Sequence, residues 1–142
     1  MPRIKIDLPD SFSFSTTIPI RITDINYGGH VGNDTILSIL HEARVQFLKH
    51  FGYEELNIGG MGLIMSDVAI DFKKEAFYGD QLNITVSAGE FTKATFELYY
   101  KLEIEMKEKR VIVAVAKTGM VCYDYSNKKI TSLPQGVKDK LS

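Results

Sequence analysis

Arg21-Ile22-Thr23-Asp24-Ile25-Asn26-Tyr27-Gly28-Gly29-His30-Val31-Gly32-Asn33-Asp34 places a carboxylate, a carboxamide and an imidazole within seven residues. They sit on a glycine-rich turn between a strand pattern and a long helical one. A turn of this composition can aim polar side chains and bare backbone N–H groups at one point. Upstream, Ser11 to Ile22 alternates with period two and reads as a strand. Pro19 cannot donate to a ladder, so that strand is expected at a sheet edge. Downstream, Asn33 or Asp34 is the expected cap of a helix reaching about Phe51. Ile36, Leu40, Ala43, Phe47 and Phe51 fall on one continuous face. Leu37, Ile39, Val45 and Leu48 widen the apolar surface, which predicts a helix that is mostly enclosed. Gly52 is the expected stop.

The rest of the chain reads as sheet. Glu54 to Gly62 is a glycine-rich loop or short helical turn, and four strand patterns follow. Leu63 to Lys73 carries Val68, Ile70 and Phe72 on one face. Leu82 to Ala88 alternates against Asn83, Thr85 and Ser87. Ala94 to Met106 alternates without a fault. A turn at Lys107 to Arg110 leads back into Val111 to Tyr123, with Gly119 a candidate bulge. Strand, long helix and four antiparallel strands make an α+β architecture in which a sheet wraps one buried helix. The expected organisation is a single domain over residues 1–142.

Composition narrows the function classes. Hydrophobic residues make up 44% and charged residues 25%, with a net charge of −1. A nucleic-acid partner usually brings a basic excess, so none is expected. Cys122 is the single cysteine, which excludes an intrachain disulfide and a zinc site built on paired cysteines. It reads as a core residue in a reduced, cytoplasmic setting. His41 and His50 lack ligand partners at useful spacing and read as surface or interface residues, so no metal or cofactor is expected. The start of the chain has no apolar leader region, and no uninterrupted apolar run is long enough to span a membrane.

Asp24 can act as a general base on water or attack an acyl carbon, or it can simply brace the turn. His30 suits proton transfer near neutral pH, or plugs the turn by hydrogen bonding. Asn26 can cap the turn or orient a carbonyl or water. Backbone N–H groups from Gly28 to Gly32 are candidate oxyanion donors. Glu75, by spacing alone, is a solvated charge near a turn. Glu42 reads as an ion-pair partner of Arg44 or of a neighbouring subunit, with a place in the active site as the alternative.

Thr23-Asp24-Ile25-Asn26, Gly29-His30-Val31-Gly32-Asn33, His41-Glu42-Ala43-Arg44, Asp71-Phe72-Lys73-Lys74-Glu75 and Gly79-Asp80-Gln81-Leu82 occur in this order. Over Ile18 to Tyr53 and Ala69 to Val86 the chain resembles the thioesterase group of the hotdog superfamily. That group includes the 4-hydroxybenzoyl-CoA and acyl-ACP thioesterase branches. The resemblance implies hydrolysis of an acyl-CoA or acyl-ACP thioester without a cofactor. It implies catalytic roles for Asp24, Asn26, His30 and Glu75, with Tyr27, Gly29, Val31 and Gly32 as substrate contacts. It also implies a homodimer joined edge to edge, which can pair again into a tetramer. Lys73, Lys74, Lys93 and Arg110 either meet CoA phosphates or line a solvated strand edge. Two departures stand out: Tyr27-Gly28 lengthens the Asn-to-His spacing by two, and Gly32 stands where Asn is common. The competing functions are an acyl-thioester hydratase or dehydratase, and a non-catalytic acyl-thioester-binding module.

Overall fold

The computed structural model describes residues 3–142. The chain runs β1 (Phe14–Pro19), α1 (Asn33–His50), β2 (Gly62–Phe72), β3 (Gln81–Gly89), β4 (Thr95–Met106), β5 (Lys109–Asp124), β6 (Lys129–Ile130) and α2 (Gln135–Leu141). One antiparallel sheet has the order β1-β3-β4-β5-β2, with β6 pairing β5. It curls around α1, as the alternation and helix period require. From β4, Phe96, Leu98, Tyr100, Leu102 and Ile104 all point inward and are buried. They meet Ile36, Leu40, Ala43, Phe47 and Leu48 of α1 in one hydrophobic core. Each such large side chain contributes about 1.5–3 kcal/mol on burial, which fixes the helix in the sheet's concave face. β1 is an edge strand, so the missing N–H of Pro19 costs no second ladder.

Several expectations shift in detail. β1 is shorter than Ser11 to Ile22, and Ile22–Asp24 forms a single 3-10 turn instead. The N-cap of α1 is Gly32 rather than Asn33 or Asp34, and no side chain caps it. At the other end Gly52 has φ +86° and donates to Lys49, while Tyr53 donates to Leu48. This is the glycine-dependent Schellman closure. The bulge lies opposite Gly119, but the extra residue is Ser66 on β2. A Cβ at Gly119 would come within 2.2 Å of the Asp67 carboxylate, so a side chain there would displace the group that accepts from Gly119 N–H. β5 starts at Lys109 because Lys107 and Glu108 make a two-residue turn with φ of 50° and 65°. The segment Glu54–Met61 is a loop of two tight turns, not a helical one. β6 and α2 had no counterpart in the sequence reading.

The helix is less enclosed than its composition predicts. Ile39 and Leu48 are buried, but Leu37 and Val45 are exposed. Met65, Ser66, Asp67 and Val68 of β2 are exposed in succession, so neither face of that stretch is covered. Glu42 does not pair with Arg44. It accepts from Gln46 at 2.8 Å, one helical turn on, because residues two apart on a helix point away from each other. Arg44 turns inward and lies 5% exposed, with Nη1 3.5 Å from Tyr100 Oη and Nε 3.5 Å from Glu55 Oε2. Glu55 also holds His41 at 2.7 Å. Tyr100 Oη meets Thr118 Oγ1 at 2.8 Å, and burial pushes the phenol pKa up. Cys122 is fully buried, as expected, and its thiol pKa is likewise raised.

Residues 3–13 form a strap that runs back over the outer face of the sheet. The ammonium of Lys101, on β4, sits 5.3 Å from the ring centre of Phe12 in the strap. Lys5 and Asp7 then line a groove with Tyr99 and Lys117. Arg3 ends on the Asp71 carboxylate and the Phe72 carbonyl of β2. Among the described residues no helix is long and apolar enough to cross a membrane.

Candidate active site

The turn that opens α1 is built from its own backbone. Asn26 N–H donates to His30 C=O and Gly29 N–H to Asn26 C=O, both at 3.0 Å. Gly29 has φ +80°, a conformation that side chains disfavour. Asn26 Oδ1 accepts from Gly28 N–H at 2.9 Å, an Asx turn that leaves the amide NH2 group free to face elsewhere. A Cβ at Gly32 would lie 3.7 Å from Asn26 Nδ2, so this amide faces the start of α1. A Cβ at Gly28 would lie 3.3 Å from both Asn26 Oδ1 and His30 Nε2, so carboxamide and imidazole both crowd this glycine.

Glu75 reaches this turn through a short strand-like splice. Residues 30 and 77 form an antiparallel bridge, and Val31 N–H donates to Ala76 C=O at 2.8 Å. The loop carrying Glu75 is braced behind by a turn in which Asp80 accepts from Phe77 N–H and Gly79 has φ +92°. The Gly79-Asp80 step thus fixes where Glu75 stands. Its Oε1 lies 3.7 Å from His30 Nε2. His30 Nδ1 lies 3.0 Å from the Val31 carbonyl, which can only accept. In the tautomer that donates from Nδ1 to this carbonyl, Nε2 is the acceptor that faces Glu75. That 3.7 Å separation is short enough for one water to hydrogen-bond to both groups. Behind them is a cavity of about 260 Å³, walled by Val31, Ile36, Phe72, Ala76 and Val113. Lys73 and Lys74 stand at its rim.

Asp24 lies elsewhere. It is 7% exposed; Oδ2 accepts from Arg21 N–H at 2.8 Å, and Oδ1 faces the Arg21 guanidinium at 3.4 Å. It thereby closes the 3-10 turn on itself. It lines a second cleft of about 460 Å³ between β1 and α1, shared with Ser38, Glu42 and Gln46. His30 and Glu75 therefore meet at one cavity, Asn26 flanks His30 in the turn beside it, and Asp24 lines another. Among the expected substrate contacts, Val31 walls the first cavity, Gly32 caps α1 beside it, and Tyr27 projects fully into solvent from the turn's tip. Gly29 serves the turn's geometry. Ile36, Ala76 and Val113 carry no sequence signal that separates a cavity wall from ordinary core.

A curled antiparallel sheet on one long helix, with its polar turn at the helix N-terminus, is the hotdog architecture of thioesterases. The chain belongs to the thioesterase-like superfamily, whose family model matches residues 20–141. It is 29% identical over 122 residues to a 1,4-dihydroxy-2-naphthoyl-CoA hydrolase of Microcystis aeruginosa, covering 84% of this chain and 86% of that protein. A solved 1,4-dihydroxy-2-naphthoyl-CoA thioesterase from Synechocystis superposes with TM-score 0.78 at 26% identity, over 90% of this chain and 94% of the other. A 4-hydroxybenzoyl-CoA thioesterase solved with 4-hydroxybenzoyl-CoA superposes with TM-score 0.84. That match covers 93% of this chain and 100% of the other; at 17% identity it shows the fold. The protein is a thioester hydrolase.

Proposed function

We propose that the protein hydrolyses the thioester of a small acyl-CoA at the cavity between His30 and Glu75. The observation that carries this reading is the 3.7 Å approach of Glu75 Oε1 to His30 Nε2 at the mouth of an apolar cavity. A water held between them attacks the thioester carbon and gives its proton to His30 Nε2. The carbonyl oxygen becomes an oxyanion, received by Asn26 Nδ2 and the uncapped first-turn N–H groups of α1. Collapse breaks the C–S bond, and the thiolate of CoA takes the proton from His30. The free acid and thiol leave. Asp24 is a positioning residue here: it holds the 3-10 turn that delivers Asn26. The cavity volume, at the low end for ligand sites, suits one or two rings or a short aliphatic chain. The relatives named for 1,4-dihydroxy-2-naphthoyl-CoA support an aromatic acyl group.

The working unit is a homodimer. β2 is the second sheet edge, and Met65, Val68 and Phe72 are exposed along it. Leu37, Val45 and Leu56 extend that apolar surface across the helix side. A second copy added at β2 would cover them and pair the free ladder groups. Phe72 belongs both to this edge and to the cavity wall, so the partner also closes the site.

The experiment is release of free thiol from a panel of CoA thioesters, benzoyl, naphthoyl, short and long aliphatic, and a crotonyl thioester. Thiol release fastest with the ring-bearing acyl groups is expected. Hydration of crotonyl-CoA without thiol release would identify a hydratase, and tight binding without either reaction a binding module.

A further inference from the structure

We infer that Arg3, carried by the N-terminal strap to the end of β2, is a substrate-binding residue that takes the phosphate groups of CoA. The inference rests on the CoA reading above. Three cations meet where β2 ends: Arg3, Lys73 and Lys74. Lys73 and Lys74 stand at the rim of the acyl cavity, and their backbone N–H groups are fixed by the Val113 carbonyl at 2.9 and 3.1 Å. Arg3 arrives from the opposite direction, over the outer face, and spends one nitrogen, Nη2, on Asp71 and the Phe72 carbonyl. Its remaining N–H groups have no partner among the described residues, and its side chain is 68% exposed. The guanidinium is therefore held at Nη2, with Nε and Nη1 left to donate to a phosphate.

Charge at this corner is poised for an anion. Asp71 is bracketed by Lys73 at 3.1 Å and by Arg3, and the Lys73 hydrogen bond foremost holds its carboxyl below the usual carboxylate range. Arg3, Lys73 and Lys74 thus stand against the two carboxylates of Asp71 and Glu75, which leaves one positive charge in excess. A chain with net charge −1 offers no general attraction for a polyphosphate, so a local cluster beside the cavity mouth must supply it. Phe12 beneath Lys101, and Lys5 and Asp7 along Tyr99 and Lys117, hold the strap in line with the end of β2.

The test is calorimetric binding of free coenzyme A and of coenzyme A lacking its 3′-phosphate. KM values for a CoA thioester and for the same acyl group on N-acetylcysteamine complete it. Arg3→Ala should weaken coenzyme A binding and raise the CoA-thioester KM about five- to tenfold, the usual value of a solvent-exposed charge-assisted contact. Its kcat, and its kinetics with the N-acetylcysteamine thioester, should stay unchanged. Arg3→Lys should restore part of the loss. Asp71→Asn leaves an oxygen to accept from Arg3 but removes a competing anion, so coenzyme A should bind as well or better. Equal coenzyme A binding in wild type and Arg3→Ala would overturn the proposal, as would weakened binding in Asp71→Asn. A wild-type protein with no preference for the CoA thioester over the N-acetylcysteamine one would instead overturn the CoA reading beneath it.

Discussion

Replacing Glu75 by Gln tests whether that carboxylate handles the water or merely lends its charge to His30. At 3.7 Å in a water-like medium two unit charges interact by about 1 kcal/mol, rising to about 4–5 at an effective dielectric of 20. The Glu75 side chain is 63% exposed, so the low figure applies, and loss of its field alone slows the reaction only about fivefold. A carboxylate that also orients the attacking water is worth on the order of a hundredfold. The geometry places both acceptors in reach of one water, so Glu75→Gln should reduce kcat by more than about tenfold, and His30→Ala by about a hundredfold or more. If the two serve one step, the double variant is little slower than His30→Ala alone. The assay is steady-state thiol release with melting temperature as the control for folding. A Glu75→Gln enzyme within fivefold of wild type, or a double variant whose loss is the product of the single losses, would refute the shared-water geometry.

Other consequences follow from the same packing. Asp24→Asn keeps an acceptor for the Arg21 N–H, so kcat should change less than about tenfold and stability by about 1 kcal/mol or less. A hundredfold loss of kcat at an unchanged melting temperature would make Asp24 catalytic. Tyr100→Phe strands the fully buried Thr118 hydroxyl and should cost about 1–3 kcal/mol in urea unfolding, whereas adding Thr118→Val should recover part of it. A double variant less stable than Tyr100→Phe would contradict that pairing. Val68→Glu should convert a dimer to a monomer in light scattering and lower activity with it, because Val68 lies on the open edge strand. A wild-type protein that is monomeric at micromolar concentration would remove the interface proposal.

How much of this was legible before the fold depended on the range of each interaction. The alternation of β4 and the spacing of Ile36, Leu40, Ala43 and Phe47 are local patterns with one geometric solution, so sheet and helix could be read directly. The N-cap could not. Asn33 and Asp34 have the preferred side chains, yet the tertiary splice at Val31–Ala76 starts the helix one residue earlier, at Gly32. The exposure of Leu37 and Val45 escaped for a related reason, since an apolar surface wider than one stripe looks the same whether its own sheet or a second copy covers it. At the site, His30 and Asn26 stood out by proximity. Glu75 did not, because a bridge between residues more than forty apart brings it in. Asp24 and Asn26 are two residues apart, yet the 3-10 turn sends the Asp24 side chain into the β1–α1 cleft while Asn26 faces Gly28 and the start of α1, and no spacing rule reveals that. Arg3 had no signal at all, as only the strap's path over the outer face connects it to the end of β2.

The most direct test is a crystal structure with phenacyl-CoA, a non-hydrolysable thioether that keeps the aryl carbonyl of benzoyl-CoA one methylene from the sulfur. The account predicts the ring in the cavity walled by Val31, Ile36, Phe72, Ala76 and Val113, with the carbonyl oxygen within about 3 Å of Asn26 Nδ2 or the first-turn N–H groups of α1. The carbonyl carbon should face the gap between His30 and Glu75. An acyl group seated instead in the cleft of Asp24, Ser38 and Glu42, with the His30 side empty, would contradict it.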